Sequence, residues 1–193
     1  MLPLDGFTTR LQSRLRAMPE NVARQFLREA ARDVCERAHC WKEEVLASVP
    51  AEWNPGVEVP LPEKVPWDYA HVFREGPRSR PVFAWTGRGF RCHCPFFFRP
   101  GQRVRIEVEL SPGTSDLALE EIPPHVWDMA GNAILETAVA KAASQVGRPW
   151  GDPTAYQTAI RAAADEINRI VNTSVRAETR MHIYQLPPIG ETE

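Results

Sequence analysis

Proline does most to limit what this chain can become. Eighteen of its 193 residues are proline, gathered between Pro50 and Pro124 and again near the C-terminus. A proline lacks the amide hydrogen of the helical ladder and clashes with the preceding turn, so a long helix cannot run through such a stretch. The string VPAEWNPGVEVPLPEKVPWDYAHVFRE, ending at Glu75, is therefore read as extended loop and edge strand. The proline-poor segments on either side are left to form helices.

Residues 20 to about 47 place Val22, Phe26, Ala30, Val34, Ala38, Trp41 and Val45 at steps of four or three, the period of an amphipathic helix. Pro19 suits its start, and Pro50 bars continuation. Its other face, with Arg24, Arg28, Arg32 and Glu36, reads as a solvated or subunit-facing polar stripe. A second helix is expected from Pro123 to a stop at Gly147. Small side chains at Ala130, Ala133, Ala138, Ala142 and Ala143 would let another helix approach to the lower end of the ~8–10 Å packing range. After the link RPWG, Asp152 is placed to cap a third helix with Pro153 in its first position. That helix is expected to run to about Arg176 with Tyr156, Ile160, Ala163, Ile167, Ile170 or Val171, and Ser174 on its apolar side. So short a link makes the last two helices an antiparallel hairpin.

Between the helical parts, PVFAWT and FRCHCPFFF flank the turn-like Gly87, Arg88 and Gly89, the pattern of a β-hairpin. Val104, Ile106, Val108 and Leu110 then alternate with Arg103, Arg105, Glu107 and Glu109, the two-residue period of a strand with one buried face. The expected fold class is α+β, mainly α. Three long helices form a bundle from residues 1–50 and 111–176, a small antiparallel β insert occupies 51–110, and an extended C-terminal tail occupies 177–193. In that tail Met181, Ile183, Tyr184, Leu186 and Ile189 would be poorly placed in water, so it must pack as an edge strand or dock on a partner.

Composition adds two constraints. Apolar residues at 43% are enough for a core, and a net charge of −2 gives no chain-wide attraction to nucleic acid or anionic membrane. Charge is instead sorted locally. Residues 74 to 105 hold eight arginines against the single acid Glu75, whereas residues 107 to 136 hold seven acids and no lysine or arginine. Opposed blocks of this kind invite head-to-tail contact between copies, with Arg91, Arg103, Arg105, Glu107 and Glu109 as candidates for an inter-subunit or DNA-facing surface. Salt bridging within one subunit and arginine contact with DNA phosphates are the alternative readings. No apolar run approaches the roughly 20 residues of a spanning helix, and MLPLDGFTTRLQSRLR lacks a signal-peptide apolar region. A soluble, unexported chain is expected.

Catalytic patterns are missing from the sequence. Cys35, Cys40, Cys92 and Cys94, with His93, are the nearest thing to a zinc set. In an extended strand, however, Cys92 and Cys94 share a face while His93 points away, which is not structural zinc spacing. Reduced cysteines acting as small core residues account for them better. There is no phosphate loop, nucleophile elbow or helical histidine pair, and His39, His71, His93, His125 and His182 are scattered. Carboxylate pairs such as Glu43 and Glu44, or Glu120 and Glu121, are sequence neighbours and converge poorly on one atom. The expectation is a protein that is not an enzyme and holds no cofactor or metal.

The order of parts resembles a known family. FLREAARDVCERAHCWKEEV carries Ala30, Ala31, Arg32, Asp33, Cys35, Arg37 and Trp41. A strand closes on Leu110, Ser111 and Pro112, an alanine-rich helix follows, and Arg148, Pro149, Trp150, Gly151, Asp152 and Pro153 link it to the last helix. In this order and spacing the chain resembles the tailed-bacteriophage head-to-tail adaptor (connector) proteins of tail-tubular-protein-like type. The resemblance covers most of residues 20 to 176, and residues 50 to 80 carry no match. It implies a structural virion protein at the head–tail interface, assembled in the host cytoplasm as a homo-oligomeric ring, usually of twelve copies. Such a ring docks under the phage portal protein, extends the channel through which genomic DNA passes, and receives a downstream tail or nozzle protein. By the same resemblance the C-terminal Met181, Ile183, Tyr184, Leu186 and Ile189 would engage the portal. The alternative is a small nucleic-acid-binding or zinc-binding regulatory module that uses the arginine-rich strands.

Overall fold

The computed structural model describes residues 3–54, 57–60, 68–74, 83–85, 89–92, 100–101, 103–113, 119–120 and 122–184. The expected class holds: the chain is mainly helical, with antiparallel strands inserted between helices. Four helices are present, one more than expected. Helix α1, Pro3–Arg14, precedes α2, Glu20–Ala38. After the strands come α3, Pro124–Ala143, and α4, Pro153–Tyr184.

Helix α1 buries Thr8 and Leu11, the latter four residues beyond the half-buried Phe7, and Leu15 continues the same side just past its end. The Phe7 ring stacks on Trp127 of α3 with 4.9 Å between centroids, and the Arg10 guanidinium lies over the Phe7 ring, 5.4 Å from its centroid. Charge pairs between Arg14 and Glu136, and between Arg24 and both Asp5 and Glu120, tie the outer surfaces of these elements together.

Helix α2 begins after Pro19, as expected, but it ends at Ala38 and not near residue 47. His39 takes up the left-handed conformation, with φ 48°, and its amide donates to the Cys35 carbonyl at 2.9 Å. This turn satisfies an orphan carbonyl of the helix end and redirects the chain. Trp41 and Val45 were in helical phase, yet residues Lys42–Ser48 form strand β1. Trp41 is nevertheless fully buried, because the chain enters the strand against the same core.

Strand β6, Arg103–Ser111, is the centre of one three-stranded antiparallel sheet of order β1-β6-β3, with β3 spanning Asp68–Arg74. The second sheet has order β2-β5-β4, from Glu58–Pro60, Gly89–Cys92 and Phe83–Trp85. The expected hairpin is therefore β4 and β5, paired through Phe83 with Cys92 and Trp85 with Phe90. One small sheet was expected; the strands divide between two.

Helix α3 packs against α1, α2 and α4. Ala130, Ala133, Ala138, Ala142 and Ala143 are all buried, in keeping with close helix approach. Its last helical residue is Ala143, so Gly147 does not cap it and instead sits within the following link at φ +82°. The link closes tightly: Gly151 donates its amide to the Arg148 carbonyl at 2.9 Å, and Asp152 donates its own to the Ala143 carbonyl at 3.0 Å. A side chain on Gly151 would meet the Gln145 carbonyl oxygen at 2.3 Å, which only glycine avoids. The expected cap is present, as Asp152 Oδ1 accepts from the amides of Thr154 at 2.8 Å and Ala155 at 3.0 Å.

Helix α4 returns along α3, and the Arg169 guanidinium reaches the Met129 carbonyl at 3.4 Å. Up to Thr173, the part whose side chains are described, its buried residues are Ala159, Ala163, Ile167 and Ile170. Ile160, assigned to that apolar side, is 42% exposed, and Ala159 takes its place. The helix also continues through Tyr184, where an extended tail from 177 was expected. No proline stands between Pro153 and Pro187, so nothing in the chain breaks the ladder earlier. Among the described residues no helix is long and apolar enough to cross a membrane.

Candidate functional site

The charged candidates of the middle region fall on two different sheets. Arg91 lies in β5, opposite Glu58 of β2 and Ala84 of β4. Arg103 and Arg105 lie in β6, opposite Ser48 and Leu46 of β1. Glu107 is opposite Glu44 on one side and Arg74 on the other. Strand register thus sets Arg91 beside an acid and Glu107 beside a base within one chain.

Glu109 is used inside the subunit. Expected on a partner-facing or DNA-facing surface, it is only 7% exposed. Its Oε2 lies 2.8 Å from His39 Nδ1, and its Oε1 lies 3.8 Å from Lys42 Nζ. The reason is topological: β6 is a central strand, with β1 and β3 on either side, so its residues near the helical core are enclosed. The carboxylate holds the α2 cap, the start of β1 and the end of β6 together.

Of the apolar residues assigned to portal contact, Met181, Ile183 and Tyr184 belong to the last two turns of α4. Leu186 and Ile189 lie outside the described residues. The helix is 12 residues longer than α3, about 18 Å of additional rise at 1.5 Å per residue.

The fold also brings Cys35 and Cys40 together. Five residues apart in one continuous helix, they would be separated by about 140° around the axis. The left-handed turn at His39 places them with 3.8 Å between sulfurs, both buried and both free thiols. Their hydrogen bond splits the pair. The hydrogen bond between the two sulfurs holds the Cys40 thiol below its ordinary range against the opposing effect of burial, while the same bond, burial, the Cys40 charge and Glu36 push Cys35 well up. Cys92 lies in β5; His93 and Cys94 lie outside the described residues. Among the described residues no three His, Cys, Asp or Glu side chains are grouped to hold a metal.

An open cleft of about 370 Å³ borders the turn between α3 and α4. Arg14 and Arg16 face it from the end of α1, and Trp150 and Asp152 from the turn. Arg148 stacks over the Trp150 ring at 5.9 Å. The indole Nε1 of Trp150 is buried with no acceptor among the described residues. Among its lining residues Asp152 is the acid, and its Oδ1 is taken by the amides that open α4.

Compared with models of protein families, the chain matches none, and no curated protein matches it. The functional reading rests on the residues and their arrangement.

Proposed function

We propose that this protein is a structural head-to-tail adaptor of a tailed bacteriophage, a subunit of a ring that sits under the portal, continues the DNA channel and receives the tail. The observation that carries the reading is the order of parts. A helix ending in AARDVCERA, with HCW in the turn after it, is followed by antiparallel strands, a strand closing on Ser111 and Pro112, the small-residue helix α3, the RPWGDP turn and the long helix α4. The buried alanines of α3 and the Asp152 cap give two of these motifs a structural use in every subunit. The protein transforms no substrate on this reading, and its exposed faces mate with other copies, the portal and a downstream tail component. Its C-terminal residues, now carried on the end of α4, are the portal-directed part.

Mixing the purified chain with the portal protein of the same phage tests this, read by negative-stain electron microscopy. A ring capping the portal is expected. Deleting residues 177–193 should weaken docking and leave the far-ultraviolet circular dichroism helical. Undiminished docking of the deleted chain would remove the tail from the assignment, and failure of the intact chain to bind portal would remove the function. If the arginine-rich strands instead bind duplex DNA, affinity must fall steeply with salt and with charge reversal at Arg91, Arg103 and Arg105. The register of Arg91 beside Glu58 weighs against that use.

A further inference from the structure

We propose that Cys35 and Cys40 are a thiol–disulfide modification site, closed by exchange with a small-molecule disulfide, which locks the turn joining the helical core to the first sheet. The inference is independent of the adaptor reading. It stands on placement: the two sulfurs are 3.8 Å apart, in contact and unbonded, across a left-handed turn that the backbone holds with its own hydrogen bond from His39 to Cys35. Cys40 directly follows the left-handed cap residue His39 and returns onto Cys35, the residue whose carbonyl the cap amide meets, so the turn that ends α2 sets the proximity. Closing the bond needs the sulfurs to approach by about 1.8 Å to the usual ~2.05 Å, a movement within reach of two side-chain rotations.

The chemistry assigns an order of attack. Cys40 is itself 4% exposed but follows the 46% exposed His39 at the point where α2 gives way to β1, so a small disulfide reaches it when that turn opens. Its thiol is the more readily ionised of the two, since the Cys35 hydrogen bond favours its thiolate. The Cys40 thiolate attacks one sulfur of the small disulfide, whose S–S bond breaks and releases one thiolate. Cys35 then gives its proton to solvent and attacks the Cys40 sulfur, forming the Cys35–Cys40 bond and expelling the second small thiolate. Two protein thiols are oxidised by two electrons, and one small-molecule disulfide is reduced to two thiols.

Equilibrating the full chain in reduced and oxidised glutathione, quenching with N-ethylmaleimide and mapping with trypsin tests this. Trypsin cuts after Arg37, between the two cysteines, so the bond appears as residues 33–37 joined to 38–42. Cys92 and Cys94 leave together on a different peptide that begins at Cys92. The expected result is the joined pair, with an equilibrium constant for closure at least tenfold higher in the folded chain than in guanidinium. Two separate alkylated peptides from the folded chain would overturn the proposal. So would a constant no higher than in the unfolded chain, or a stable glutathione adduct on Cys35 or Cys40 in place of the bond. In Cys35→Ser, glutathione should accumulate on Cys40; an unmodified Cys40 would overturn the order of attack.

Discussion

Helices α3 and α4 are joined by one short turn and lie side by side, yet they obey different rules. Helix α3 is enclosed by α1, α2 and α4 and buries 13 of its 20 residues, seven of them alanine or glycine. Helix α4 buries one stripe, Ala159, Ala163, Ile167 and Ile170, and turns Gln157, Arg161, Asp165, Asn168 and Asn172 outward. A helix surrounded on three sides has no solvent face on which a polar residue is cheap, while one on the outside needs a single stripe. The difference locates the core of the molecule at α3.

Substitutions at matched positions can break this contrast or sharpen it. The largest effect is expected at Ile134, fully buried in α3, where Ile134→Ala should cost about 2–5 kcal/mol through lost burial and an unfilled cavity. Chemical denaturation with an unchanged slope would check it. Next comes Gly131→Ala. A side chain there would meet the tip of the Phe7 ring at 2.4 Å, so the ring must leave its stack on Trp127, and overpacking of this kind costs about 1–3 kcal/mol. A gain in stability, as glycine-to-alanine changes give on an exposed helix, would mean α1 is not seated on α3. At the start of α4, Asp152→Ala removes the acceptor for two amides and should cost about 1 kcal/mol, read as a lower melting temperature. The smallest effect belongs to Ile160→Ala on the outer side of α4, within about 0.5 kcal/mol of the unaltered chain. A loss as large as that at Ile134 would place Ile160 in an interface formed by the protein in solution.

Several of these features were legible in the sequence for local reasons. Pro124 and Pro153 open helices because each can occupy a first turn whose amides have no partner, and Asp152 caps because its carboxylate reaches two of those amides. The β4–β5 pairing was legible because only residues 86–88, one of them a glycine, separate the two strands in the sequence. The full length of α4 was also present, as the absence of proline up to Pro187, although the apolar residues from Met181 onward suggested a strand. The end of α2 was not legible. Trp41 and Val45 keep helical phase, and what draws residues 42–48 into a strand is β6, about sixty residues away, with Leu110 donating its amide to the Trp41 carbonyl at 2.8 Å.

The charged candidates separate along the same line. Eight arginines followed by seven acids are a property of the sequence. That Glu109 is enclosed with His39 and Lys42, while Arg91 lies in another sheet opposite Glu58, follows only from strand pairing. The sulfur contact of Cys35 and Cys40 has the same origin, since a continuous helix would have held them on different sides.

By itself, then, the amino-acid order determined where α2, α3 and α4 begin, the Asp152 cap and the mainly helical α+β class, because caps, prolines and side-chain period act within a few residues. The tertiary structure decided where α2 stops, which acid is buried, which helix lies at the centre and which cysteines meet. Those outcomes depend on hydrogen bonds and burial between segments far apart in the chain, and no local pattern of side chains carries that information.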